Sequence, residues 1–144
     1  MLSRPQHGWT DFSLGNSVYC LSYLTDIPLD WLERAIFGLQ TFQPFEVYGY
    51  CEPGRLVCAV DLLECRIYFD EDKHIKNDGC IKDCPCEVVP INMLEFCKVL
   101  HRDISEYIVD WEKWHSSSDH GREDIRFRLE RLEKLIDVKG NCFA

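Results

Sequence analysis

The spacing of apolar residues changes along the chain, and each change marks an element. Residues 9–14 and 17–24 alternate as two strands, and Gly15-Asn16 between them is a two-residue hairpin signal. Asp26 is placed to cap a helix whose first turn tolerates Pro28. Leu29, Leu32, Ile36 and Leu39 then recur at helical spacing, so a helix is expected to about Gln40. From Phe45 the period becomes two. Phe45, Val47, Gly49 and Cys51 share one face, and Glu46, Tyr48 and Tyr50 share the other. Glu52-Pro53-Gly54-Arg55 predicts a type II turn. Leu56, Cys58, Val60 and Leu62, then Cys65, Ile67 and Phe69, continue the alternation into a three-strand meander.

Residues 70–86 are charged and hold neither period, which predicts a long exposed loop. A short edge strand is expected at 87–90. Asn92 then caps a second helix carrying Met93, Leu94, Cys97, Leu100, His101, Ile104, Ile108 and Trp111 on one face. A serine-rich hinge at 115–121 precedes a third helix, marked by Ile125, Leu129, Leu132 and Ile136 and ending near Gly140. The expected fold is α+β: an antiparallel sheet built from a β-hairpin, a helix and a three-strand meander, with two C-terminal helices packed mainly on one sheet face.

The chain has 144 residues, the size of one ordinary domain, so 1–144 is read as a single domain. Residues 1–9 hold Pro5, Gln6, His7 and Gly8 where an apolar signal core would begin, and no apolar run is long enough to span a bilayer. A cytoplasmic location without membrane attachment is expected. Nine cysteines in a reducing compartment should be mostly thiols. Cys20, Cys58, Cys65 and Cys97 sit in apolar patterns and are assigned to the core.

Candidate chemistry is sparse. Cys80, Cys84 and Cys86 can supply three thiolates of a tetrahedral zinc shell, completed by Cys97 or His101, with His74 more remote. Against this, no tidy Cys-x2-Cys knuckle is present, and a loop of exposed thiols is the plainer reading. Cys97 with His101 has the spacing of a thiolate–base pair, but its apolar helical face favours packing over catalysis. Serines beside His115 and His120 lie on a hinge that cannot hold a reacting geometry. No phosphate loop, zinc-protease helix or nucleophile elbow is found. An enzyme of a kind without these motifs remains an alternative.

Charge changes the picture more. The chain carries a net charge of -9; residues 122–139 hold six basic and five acidic side chains, leaving 10 basic and 20 acidic in residues 1–121. Such a body repels phosphate backbones, so nucleic acid is not an expected partner, while a basic protein would be steered in. The competing explanation is that acidity serves solubility alone. Two aromatic surfaces suit an interface: Tyr48 and Tyr50 beside Glu46, and Trp111 and Trp114 beside Asp110 and Glu112. A three-strand sheet commonly buries one face, so one of these surfaces should stay open. The expected contact set is Glu46, Tyr48, Tyr50, Asp70, Glu71 and Asp72.

Gly8-Trp9-Thr10-Asp11-Phe12, the stretch from Leu21-Ser22-Tyr23-Leu24-Thr25-Asp26 into Asp30-Trp31-Leu32-Glu33, and Glu52-Pro53-Gly54-Arg55 resemble small uncharacterised bacterial proteins over residues 9–114. In size, acidity and α+β layout the chain also resembles the immunity proteins of bacterial polymorphic-toxin and contact-dependent inhibition systems. That resemblance implies a cytosolic protein-binding module that neutralises a cognate toxin domain by direct binding, without cofactor or catalysis. The loop at 80–86 and the helix after Gly121 match no family pattern, so no binding residue is carried over. The alternative function is a zinc-stabilised regulatory protein.

Overall fold

In the computed structural model, residues 1–70, 86–114 and 120–143 are described. The order is β1 (Trp9–Leu14), β2 (Ser17–Ser22), α1 (Ile27–Thr41), β3 (Phe45–Tyr50), β4 (Arg55–Val60), β5 (Cys65–Asp70), β6 (Glu87–Val89), α2 (Met93–Glu106), a short α3 (Ile108–Trp111) and α4 (His120–Lys139). A 3-10 turn, Gly140–Phe143, follows α4. The fold is α+β.

The hairpin and the meander form separate sheets, β1-β2 and β3-β4-β5-β6, rather than one. Every pairing is antiparallel. Gly15 takes the positive φ of 58° that a primed hairpin turn asks of its first central residue. Between β3 and β4, Gly54 has the φ of 88° expected of the second central turn residue. The preceding Glu52–Pro53 bond is cis, and Glu52 itself has a positive φ, so the turn is not the simple type II expected.

Asp26 caps α1 by accepting from the Leu29 amide, and Asn92 caps α2 by accepting from the Glu95 amide at 2.9 Å. Both helices lie on one face of the four-stranded sheet. Phe45 of β3 packs against Gly38 of α1 and edge-on to Phe96 of α2. The hairpin covers the rest of that face: Leu21 lies over Gly49, which leaves no room for a Cβ, and Tyr19 stacks on Phe69 with ring centroids 5.2 Å apart. Val47, Leu56, Cys58, Val60, Cys65 and Ile67 are thereby removed from water.

Three further sequence expectations change. The second helix stops at Glu106, not at Trp111, because the Trp111 indole donates to the Asp103 carbonyl and Tyr107 leaves helical geometry. The third helix already includes His120 and Gly121, so the hinge is shorter than 115–121; residues 115–119 lie outside the described residues. Cys20 is exposed, since the inward side chains of β2 are Tyr19 and Leu21. Cys58, Cys65 and Cys97 are buried, as their apolar surroundings require. Helix α4 docks across α1 and α2 by burying Ile125, Leu129 and Leu132. Among the described residues no helix is long and apolar enough to cross a membrane.

One buried carboxylate ties the first residues to α2. Asp103 receives the Met1 ammonium at 2.9 Å, the Leu2 amide at 3.0 Å and the Arg102 guanidinium, although the residue is only 5% exposed. Removing it strands a buried ammonium, so Asp103→Ala is expected to lower stability by about 3–5 kcal/mol, as measured by urea unfolding.

Glu87 does the same for the hairpin tip. Its carboxylate accepts from the Ser17 hydroxyl at 2.5 Å and from the Asn16 amide, and these bonds, the first most of all, hold its pKa below the ordinary value of 4.5. A depressed carboxyl pKa contributes stability above the unfolded value, which disappears as pH falls through the folded value. The stability gap between wild type and Glu87→Gln should therefore be full at pH 6 and close in the acid range below 4.5. Denaturant titrations at the two ends of that range measure it.

Candidate interaction surface

Alternation sends the remaining side chains of the four-stranded sheet to its other face. The register arranges them in rows: Glu46, Ala59, Arg66 and Val88; then Tyr48, Val57 and Tyr68; then Tyr50, Arg55 and Asp70. No described helix or hairpin packs on this face. Its side chains contact one another instead. Tyr48 and Tyr50 meet edge to face at 6.1 Å, the Arg55 guanidinium lies 5.9 Å from the Tyr48 ring centroid, and Arg55 donates to Asp70 at 3.3 Å.

The three tyrosines are half-buried, Glu46 and Arg66 are exposed, and Val57 is covered. A tyrosine in this setting offers a broad apolar ring and a polar tip with few torsions left to freeze. Both edges of the surface differ chemically. Arg66 is engaged by Glu64 at 2.8 Å, whereas Glu46 makes no ion pair among the described residues.

Of the expected contact residues, Glu46, Tyr48 and Tyr50 share this face. Asp70 shares it too, but it is a correction to the expected set: it is 6% exposed and its carboxylate is taken by Arg55. It organises the surface from beneath and is not a free anionic contact. Glu71 and Asp72 lie outside the described residues. Tyr68, Arg55 and Arg66 were missed. The meander register carried a signal for them, because the turn at 51–54 sets Arg55 opposite Tyr50, and β5 then sets Tyr68 opposite Val57.

The second aromatic surface is closed. Trp111 and Trp114 are buried, their rings 5.2 Å apart, and the Trp114 indole donates to the Thr25 carbonyl at 2.9 Å. Acidic charge on the helical side is also partly compensated: Arg4 pairs with Asp110, Arg126 with Glu112 at 2.6 Å and Arg128 with Glu33 at 3.8 Å.

The thiols fall into two settings. Cys97 is buried beside the Ala35 carbonyl, and burial, reinforced by Cys65, pushes its thiol up to about 12. Without a metal such a thiol stays protonated at neutral pH, as a packed core side chain does, and it is a poor nucleophile. Cys86 is exposed, while Cys80, Cys84 and His74 lie outside the described residues. Among the described residues no group of three His, Cys, Asp or Glu side chains is arranged to hold a metal ion. His101 faces the Ser105 hydroxyl at 3.5 Å.

Comparisons with protein-family models, with curated proteins and with solved structures give no match.

The Arg55–Asp70 pair holds the third row together, with side chains 24% and 5% exposed. Asp70→Asn should cost about 1–3 kcal/mol, the range for a hydrogen bond to a charged group. An unfolding free energy unchanged from wild type would show that the pair does not organise the face.

Proposed function

We propose that the protein is a cytosolic binding module that docks a partner protein on the open face of its four-stranded sheet. In the fuller form of this reading it is an immunity-type inhibitor that occludes a basic toxin domain and performs no chemistry. The observation that carries it is the set of three tyrosines, Tyr48, Tyr50 and Tyr68, displayed on strands whose opposite sides are locked in the core. Interfaces draw most of their energy from a few such aromatic anchors held in place before binding.

Electrostatics supports the choice of partner. The net charge of -9 favours encounter with a positively charged macromolecule, and Glu46 gives the tyrosine face a carboxylate without an ion pair among the described residues on one border. Arg55 does not oppose this, since its charge is paired with Asp70 even though its Nε has no hydrogen-bond partner among the described residues. The same balance disfavours a nucleic-acid partner despite the aromatic platform, because phosphates gain little from a surface whose arginines are already paired.

The test uses tagged protein as bait in extracts of its own source, with Tyr48→Ala and Tyr68→Ala as controls. The expected result is one captured protein, toxic when expressed alone and harmless when co-expressed with the wild type. Each alanine variant should bind it roughly thirtyfold more weakly, the equivalent of about 2 kcal/mol per anchor. Capture of a non-toxic protein would remove the inhibitor reading. Equal capture by all three proteins would remove the open face as the docking site.

A further inference from the structure

Beside Glu46 the open face runs into a groove of about 500 Å³ between the solvent side of α1 and the start of β3. Phe37, Pro44 and Phe45 line it with apolar surface, and Asp30, Glu33 and Glu46 contribute carboxylates. Phe37 is 52% exposed on the solvent side of α1, so its ring is available to the groove.

The strand edge explains why the groove is short. β3 is an edge strand, and the Trp31 indole donates to the Tyr48 carbonyl at 3.0 Å, so the backbone groups of Tyr48 point away from β4. By alternation those of Glu46 and Tyr50 do the same. Trp31 thus blocks the middle of the edge against an added strand, and Pro44 offers no N–H before it. What stays accessible is a space for side chains rather than for a continuous strand.

The lining also specifies a charge. Arg34 is the one cation in its lining against three carboxylates; from α4, Arg128 pairs with Glu33 at 3.8 Å and also acts on Asp30. Asp30 and Glu46 are without ion pairs among the described residues. Burial first, then the neighbouring Asp26, hold Asp30 up in pKa against the opposing pull of Arg34 and Arg128, so a further cation would offset a desolvation cost that those arginines leave in place.

We propose that this groove receives an arginine side chain of the partner protein, with its methylene stem against Phe37 and Pro44 and its guanidinium between Asp30 and Glu46. Arginine fits better than lysine because its planar fork serves two separate carboxylates while its stem covers apolar surface. The inference rests on the open face being a docking surface, since Glu46 borders both, and it adds the chemistry that the partner must present there.

The probe is a blocked pentapeptide, acetyl-Gly-Ser-Arg-Ser-Gly-amide, with citrulline and lysine counterparts, titrated into isotope-labelled full chain by NMR. Expected are saturating shifts at the Phe37, Phe45 and Glu46 amides with the arginine peptide. Binding should be at least about fivefold weaker with citrulline, the loss of charge assistance in a hydrogen bond. A Glu46→Gln, Asp30→Asn double variant, its spectrum confirming the fold, should lose the same factor. Equal binding of arginine and citrulline peptides overturns the proposal, as do shifts of similar size at Glu130, Glu133 and Asp137 on α4. Tyr48→Ala separates the two readings. If that variant loses the captured partner while no peptide binds the groove of the wild type, the arginine pocket falls and the docking face stands.

Discussion

The structure depends on one-sided burial of the four-stranded sheet. Val47, Leu56, Cys58, Val60, Cys65 and Ile67 each reach zero exposure beneath α1, α2 and the hairpin. At roughly 1.5–3 kcal/mol for each large apolar side chain fully buried, this layer outweighs any single polar contact in the chain. Once it is fixed, strand alternation leaves no choice about the other face. Residues two apart from one another in the meander must point away from the helices, and Tyr48, Tyr50, Tyr68, Arg55 and Asp70 are the result.

Much of this was readable because it depends on neighbours in sequence. The caps Asp26 and Asn92, the Gly15-Asn16 turn and the two-residue period from Phe45 each act over a few positions, and each forms as expected. The failures involve partners far apart in sequence. Whether Cys20 is inside depends on where Leu21 meets Gly49, and whether the second helix runs on depends on Trp111 returning to the Asp103 carbonyl. Asp70 sits at the end of a charged run, where exposure is the natural expectation; its burial follows from standing in register with Arg55, fifteen residues earlier. The α1–β3 groove was out of reach altogether, because periodicity says which face of a helix is apolar but not which edge of a sheet its polar face will overlook.

Helix α4 shows how composition can mislead about charge. Taken alone, residues 122–139 are nearly neutral and the rest of the chain is strongly acidic. In place, Arg126 and Arg128 reach to opposite flanks, one to Glu112 and the other to Glu33, so the helix compensates acid on the side it covers. Such exposed pairs are each worth about 0–1 kcal/mol, and the docking itself comes from Ile125, Leu129 and Leu132. The effect is on distribution. With part of the helical side compensated, carboxylates that make no ion pair among the described residues, such as Asp30 and Glu46, matter more to an approaching cation than their share of the total suggests.

Placement on strands also bears on why a surface of this kind suits the proposed docking. A side chain on a loop must be ordered when a partner arrives, and that ordering costs part of the contact energy. Tyr48 is held differently: its carbonyl receives the Trp31 indole, its ring meets Tyr50 and Arg55, and its neighbours Val47 and Gly49 are locked in the core. The Tyr48 ring is therefore held in position beforehand, and on the proposed reading that rigidity comes from residues on the core side of the strand rather than from the docking face. The same separation lets the two functions of each strand vary independently. Changing an outward tyrosine alters the proposed docking face with little loss of core, whereas changing an inward valine or cysteine alters stability and leaves that face chemically intact.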